Sequence, residues 1–172
     1  MEVAMNHEVE KDWTTAAGLR AVCAIMRWSG QRRHRCGYVE VPKGHPLYGV
    51  GYADDIPQIS QESVDNATLG AKSPILILTA TCRSKEEGKV RRSPDILFDC
   101  HGGLTYSGGS GKYPVESEGW WFGFDCAHGG DEWIERPEGL SLGLELGVVR
   151  TQEYVEAECE RLAKQIVEAF PL

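Results

Sequence analysis

The six cysteines of this 172-residue chain (Cys23, Cys36, Cys82, Cys100, Cys126 and Cys159) include no CxxC pair. Structural zinc sites collect their ligands in such close pairs, so zinc-finger chemistry is not expected. Positive charge is also short: 18 Lys and Arg stand against 26 Asp and Glu, a net charge of −8. General nucleic-acid binding, which needs cationic surface to neutralise phosphates, is therefore not expected either. Missing too is any apolar run near the roughly 18 residues that a membrane helix requires. The first residues, Met1-Glu2-Val3-Ala4-Met5-Asn6, lack the basic start and apolar stretch of a signal peptide. The expected address is the cytoplasm, where disulfides are rare and isolated cysteines read as small buried hydrophobes. The run Gly108-Gly109-Ser110-Gly111-Lys112 has the composition of a phosphate loop, but neither its spacing nor a following helix.

What is present is the material of one globular domain over residues 1–172, with 41% hydrophobic residues and enough length for a core. The clearest element is a C-terminal helix. Thr151 is an N-cap candidate, and Val155, Cys159, Leu162, Ile166 and Phe170 recur at helical spacing. Glu153, Glu156, Glu160, Lys164 and Glu168 occupy the other side. Upstream, Asp12 to Gly18 reads as a turn or short helix start, and Leu19–Trp28 as a strand. The polar stretch 29–35 reads as a turn into a hairpin partner, Cys36–Val41. Residues 42–49 are loop by their Pro and Gly content, 74–82 a strand, and 84–93 a charged loop. Two further strands, 96–106 and 120–126, carry glycine-rich motifs, and residues 132–150 are irregular. The fold expected is α+β: a mainly antiparallel sheet with the C-terminal helix packed across one face. Basic residues gather at Arg27, Arg32, Arg33, Arg35 and Lys43, and again at Arg83, Lys85, Lys89, Arg91 and Arg92. These read as solvated loops, or as an anion-binding rim for a small phosphorylated ligand.

The chemistry concentrates in the two motifs, Asp99-Cys100-His101-Gly102-Gly103-Leu104-Thr105-Tyr106 and Trp120-Trp121-Phe122-Gly123-Phe124-Asp125-Cys126-Ala127-His128-Gly129-Gly130-Asp131. If Tyr106 pairs with Trp120 in an antiparallel hairpin, His101 faces Asp125 and Asp99 faces Ala127, at the 4.5–5.5 Å or so of opposed Cβ atoms. His101, Asp125, His128 and Asp131 then suit a divalent metal or general acid–base work. Cys126 beside His128 has the neighbours of a nucleophile, although strand alternation sets it on the face opposite Asp125. Trp121 with Tyr106 or Tyr48 would line a flat slot for a planar ring. The bland reading is that Asp125 and Asp131 tie down turns and His101 is a satisfied buried histidine.

The strings Trp13-Thr14-Thr15…Gly18-Leu19, His34-Arg35-Cys36-Gly37-Tyr38-Val39-Glu40-Val41-Pro42…His45-Pro46-Leu47-Tyr48-Gly49, His101-Gly102-Gly103-Leu104-Thr105-Tyr106-Ser107 and Trp121-Phe122-Gly123-Phe124-Asp125-Cys126-Ala127-His128…Asp131 resemble a family of small proteins encoded by tailed phages and prophages. Most of that family has no assigned function. The resemblance implies a phage accessory protein in the infected cell's cytosol, a setting in which built pockets sequester or hydrolyse host nucleotide signals. The leading expectation is a small-molecule pocket for a nucleotide-like ligand, requiring no cofactor. It would be formed by Arg35, Tyr38, His45, Tyr48, His101, Thr105, Trp121, Asp125, His128 and Asp131. In it Arg35 contacts an anion, the aromatics stack, and the others give directed hydrogen bonds. The alternatives are a hydrolase using His101, Asp125, His128 and Asp131 with or without a divalent metal, and an interaction module without a ligand.

Overall fold

The computed structural model describes residues 6–57, 92–109, 111–136 and 147–172. The strand expected at 74–82 and most of the second basic cluster lie outside these residues. In chain order the elements are β1 (Asn6–Thr14), β2 (Arg20–Trp28), β3 (Gln31–Val41), α1 (Pro94–Leu97), β4 (Tyr106–Gly109), β5 (Trp120–Asp125) and α2 (Gln152–Ala169). The strands form one antiparallel sheet in the order β1-β2-β3-β5-β4, and α2 packs against β3 and β2. The α+β architecture with a C-terminal helix across one face is as the sequence suggests.

Three local readings need correction. Asp12–Thr14 complete β1, and the turn is confined to the residues after Thr15, whose hydroxyl and carbonyl tie to Leu19 and Gly18. The β2–β3 turn is only Ser29-Gly30, both at positive φ (51° and 80°), the geometry of a two-residue hairpin. Residues 31–35 therefore belong to β3 and are not loop. The third correction concerns the two motifs. Residues 94–97 form a helical turn that starts at Pro94, and Gly102 and Gly103 reverse the chain at positive φ, so the β4 strand begins only at Tyr106. Tyr106 pairs with Gly123, three residues from the expected Trp120, and Gly108-Gly109 are strand residues across from Trp121 and Trp120. His101 thus faces no strand partner. A shift by an odd number also changes which residues share a face.

β3 carries an irregularity that matters for the site. Ile25 of β2 pairs with Arg35, while Arg27 pairs with Arg32. Two β3 residues, Arg33 and His34, therefore oppose Met26 alone. Such a bulge re-aims the side chains around it and breaks simple alternation.

The core is divided by the sheet. Under α2 lie Ala21, Cys23, Val39, Val41, Phe122 and Phe124 with Val155, Cys159, Leu162 and Ile166 of the helix, all essentially inaccessible. Thr151 caps α2 by accepting a hydrogen bond from the Tyr154 amide at 3.2 Å. Gly37 lets the layers meet: a Cβ there would stand 2.4 Å from the Phe124 ring and 2.7 Å from Cys159 Sγ. On the opposite face Val22, Ala24, Cys36, Tyr38 and Trp121 are covered by Met26, Tyr106, Tyr113 and Val115. The Tyr38, Tyr106 and Tyr113 rings meet edge to face at 5.4–5.6 Å, the arrangement aromatic quadrupoles favour.

Candidate functional site

The two motifs do come together, through turns and not through strand register. After Cys126, whose amide bonds to the Arg35 carbonyl, the chain leaves the edge of β3 and returns at Ile134, whose amide bonds to the Arg33 carbonyl. The excursion between carries His128 and Asp131. The 100–103 turn brings His101 to it, so that the His101 and His128 ring centroids are 5.7 Å apart.

At the centre is Asp131, whose side chain is 2% exposed. Its Oδ2 accepts from His101 Nε2 at 2.7 Å and from the His128 amide at 3.0 Å. Its Oδ1 accepts from Arg150 Nε at 2.7 Å. Burial by itself would raise this carboxyl. The Arg150 guanidinium, the His101 ring and the His128 amide together outweigh it and hold the group below the usual carboxylate range. His101 is equally occupied: with Nε2 on Asp131, its Nδ1 meets the Tyr154 hydroxyl at 2.9 Å, in the first turn of α2. Arg150 lies over the Tyr154 ring, 4.9 Å from its centroid. Asp131, His101, Arg150 and Tyr154 thus form a closed knot that joins two loops to the helix start.

The outer part is less complete. Asp125 accepts from the Thr105 hydroxyl at 2.8 Å and from the Ala127 amide at 3.1 Å. His128 Nε2 lies 3.5 Å from Asp125 Oδ1, buried and without a hydrogen-bond partner, while a third of the side chain is exposed. The ring lies directly on the Gly102 backbone: at φ 66° a Cβ there would stand 2.1 Å from the imidazole. His34, at the bulge, is near enough for the charges of Asp125, Asp131, His128 and Arg33 to act on it. Its ring makes no hydrogen bond among the described residues.

Of the ten ligand residues expected from sequence, the structure joins His101, Thr105, Asp125, His128 and Asp131 in one chain of contacts. The other five stand elsewhere or are occupied. Arg35 makes two hydrogen bonds to Glu10 (2.6 and 2.9 Å) and a third to the Arg150 carbonyl, so it has no free edge for an anion. Tyr38 and Trp121 are buried, the first hydroxyl-to-hydroxyl with Tyr113 and the second donating to Ser117, so neither lines an open slot. Tyr106 shares their face because of the shifted register. Tyr48 packs on Trp120 and donates to the Glu118 carbonyl. His45 packs on Phe170 at the far end of α2, sixteen residues beyond Tyr154, or about 24 Å along a helix. Cys126 is buried and its thiol is pushed up to about 12 by desolvation first and by the nearby carboxylates, which removes the nucleophile reading at neutral pH. The groups that sequence reasoning missed are Arg150 and Tyr154, joined to the motifs only by tertiary contact, and His34, set at the bulge within reach of Asp125, Asp131 and His128.

Among the described residues, no group of three or more His, Cys, Asp or Glu side chains is disposed to hold a metal ion. The knot explains this, because its imidazole and carboxylate lone pairs already carry protein hydrogen bonds. A groove of about 430 Å³ opens at the other end of the sheet, between Arg20, Glu40, Lys43, Glu118 and Leu172, and none of the ten residues lines it. No helix among the described residues is long and apolar enough to cross a membrane.

Burial lowers the pKa of His34 and of His45 from the ordinary 6.5. In His45 the Leu47 amide donates to Nδ1 at 3.1 Å, which requires that nitrogen unprotonated. A histidine depressed in the folded state binds its proton more readily when unfolded, so its contribution is present above pH 6.5 and is lost as pH falls through the folded value. Thermal stability should therefore decline between pH 7 and pH 5, and the decline should be smaller in a His34→Gln/His45→Gln variant. A melting temperature that is flat or rising over that interval in the wild type contradicts this.

In comparisons with known proteins, no family model, curated protein or solved structure matches the chain.

Proposed function

We propose that this chain binds a small nucleotide-like molecule at the rim formed by His128, Asp125, Thr105 and His34. The observation that carries the reading is the contrast between a saturated centre and an incomplete edge. Both carboxylate oxygens of Asp131 and both ring nitrogens of His101 have protein partners. The His128 ring nitrogens have none among the described residues, although its backbone is fixed by Asp131 and its ring by Gly102 and Asp125. A rigid support beneath an unsatisfied imidazole suits recognition, since the ordering penalty has been met before the ligand arrives. An imidazole next to a carboxylate also matches a ligand bearing both an acidic group and hydroxyl or amino donors. The same contrast weighs against hydrolysis by His101 and Asp131, whose lone pairs are engaged. In the biological setting that the phage resemblance implies, the role is sequestration of a host nucleotide signal in the infected cell's cytosol.

The test is to incubate candidate nucleotides with excess protein, denature it, and analyse what is released by mass spectrometry. The released ligand should be intact, with and without added divalent metal. His128→Asn should weaken binding by about 0.5–1.5 kcal/mol, the worth of a neutral hydrogen bond. Several product equivalents per protein, abolished by His128→Asn with binding retained, would replace this reading by the hydrolase.

A further inference from the structure

Arg33 stands apart from the arginines around it. On its own strand Arg32 holds Glu8 and Arg35 holds Glu10, and across the hairpin Arg27 holds Glu8. Arg33 has no carboxylate among the described residues. Its guanidinium carbon instead lies 3.7 Å from the centroid of the Trp133 ring and 5.2 Å from that of Trp28. Trp133 is fixed there because the next residue, Ile134, donates its amide to the Arg33 carbonyl at 2.7 Å. Trp28 is 49% exposed, unusual for so large an apolar side chain. Arg33 Nε is buried and has no hydrogen-bond partner.

A guanidinium stacked on an indole offers its N–H donors edgewise, in its own plane, where they match the paired oxygens of a planar or tetrahedral oxyanion. A buried N–H without an acceptor is rare and calls for a ligand or solvent to complete it. The bulge puts this edge beside His34, whose neutral ring carries one further N–H donor and which is part of the rim already described. We infer that Arg33 is the phosphate-binding residue of the rim site and that the exposed Trp28 indole receives the ligand's planar ring. The inference rests on the ligand reading above and gives that ligand a phosphate group and an aromatic ring. It also assigns the roles expected of Arg35 and Trp121 to Arg33 and Trp28.

Adenosine monophosphate, adenosine and inorganic phosphate are suitable probes, followed by tryptophan fluorescence and by the indole N–H resonances. Wild type should bind adenosine monophosphate at least tenfold more tightly than adenosine, with the Trp28 and Trp133 indole signals moving. Arg33→Lys keeps the charge and loses the planar fork, and should weaken adenosine monophosphate at least tenfold without changing the weak adenosine affinity. Trp28→Ala should weaken adenosine monophosphate and leave inorganic phosphate unaffected. This variant, together with the phosphate dependence of the wild type, decides the matter if Arg33→Lys does not fold. Binding that is insensitive to Arg33→Lys but weakened by His128→Asn overturns the Arg33 assignment and leaves the rim reading standing. Failure of wild type to bind adenosine monophosphate or phosphate at millimolar concentration overturns both.

Discussion

Replacing Leu162 with Ala should lower the stability of the protein by about 2–5 kcal/mol, the range for deleting a large side chain from a packed core. Leu162 is fully buried in the middle of α2, within the layer formed by Ala21, Cys23, Val39, Phe122 and Phe124. Its surroundings resist collapse into the void. Gly37 already brings the sheet and helix to the closest separation that the Phe124 ring and Cys159 permit, so the helix cannot sink further to fill it. The effect should also reach the site, because α2 supplies Tyr154, which holds His101. Chemical denaturation of Leu162→Ala beside wild type measures the loss. Unchanged midpoint and slope would mean that α2 does not pack as described.

The helix was legible in the sequence because its stripe repeats at the helical period and a capping threonine precedes it. One face must be buried, and Val155, Cys159, Leu162 and Ile166 are the only apolar row available. The strands were legible in outline and not in register. β5 is aromatic or glycine on both faces from Trp120 to Phe124, so its alternation marks no solvent side. Trp121 therefore looked available when it is the largest fully buried side chain of the second layer. β1 escaped notice because it is an edge strand rich in charge, in which Glu8 and Glu10 serve the arginines of the next strands.

The bulge in β3 was hidden for a related reason. In Gln31-Arg32-Arg33-His34-Arg35 every residue is polar, so an inserted residue leaves no break in hydrophobic pattern. Only pairing reveals that Arg35 turns to Glu10 while Arg33 turns to the tryptophans. The bland reading of the aspartates was in part borne out by geometry. Asp125 and Asp131 do tie turns, through the Ala127 and His128 amides. What no local pattern contains is that the same Asp131 also gathers His101, thirty residues earlier, and Arg150, nineteen later.

Asp131→Asn should therefore be the most disruptive change in the site. The amide keeps the size and removes the charge, and of its two ends one becomes a donor. Whichever way it turns, at least one of the three incoming donors meets an N–H in place of an oxygen: Arg150 if the amide nitrogen takes the Oδ1 place, His101 and the His128 amide if it takes the Oδ2 place. Arg150 also loses its anion at a position where the carboxylate is 2% exposed. Hydrogen bonds to charged groups are worth about 1.5–3 kcal/mol each, so a loss of about 3 kcal/mol is expected at neutral pH. The sign with pH is fixed by the depressed carboxyl. Its stabilisation is present above the unfolded value of 3.8 and disappears as pH falls through the lower folded value. The difference between wild type and Asp131→Asn should accordingly be constant from pH 5 to pH 7 and shrink only in strong acid. Because the His128 amide and His101 ring are released together, the imidazole resonances of both should shift. Affinity for a rim ligand should fall further than in His128→Asn. A variant that melts with wild type, or whose two imidazole signals stay in place, would show that Asp131 does not organise the site.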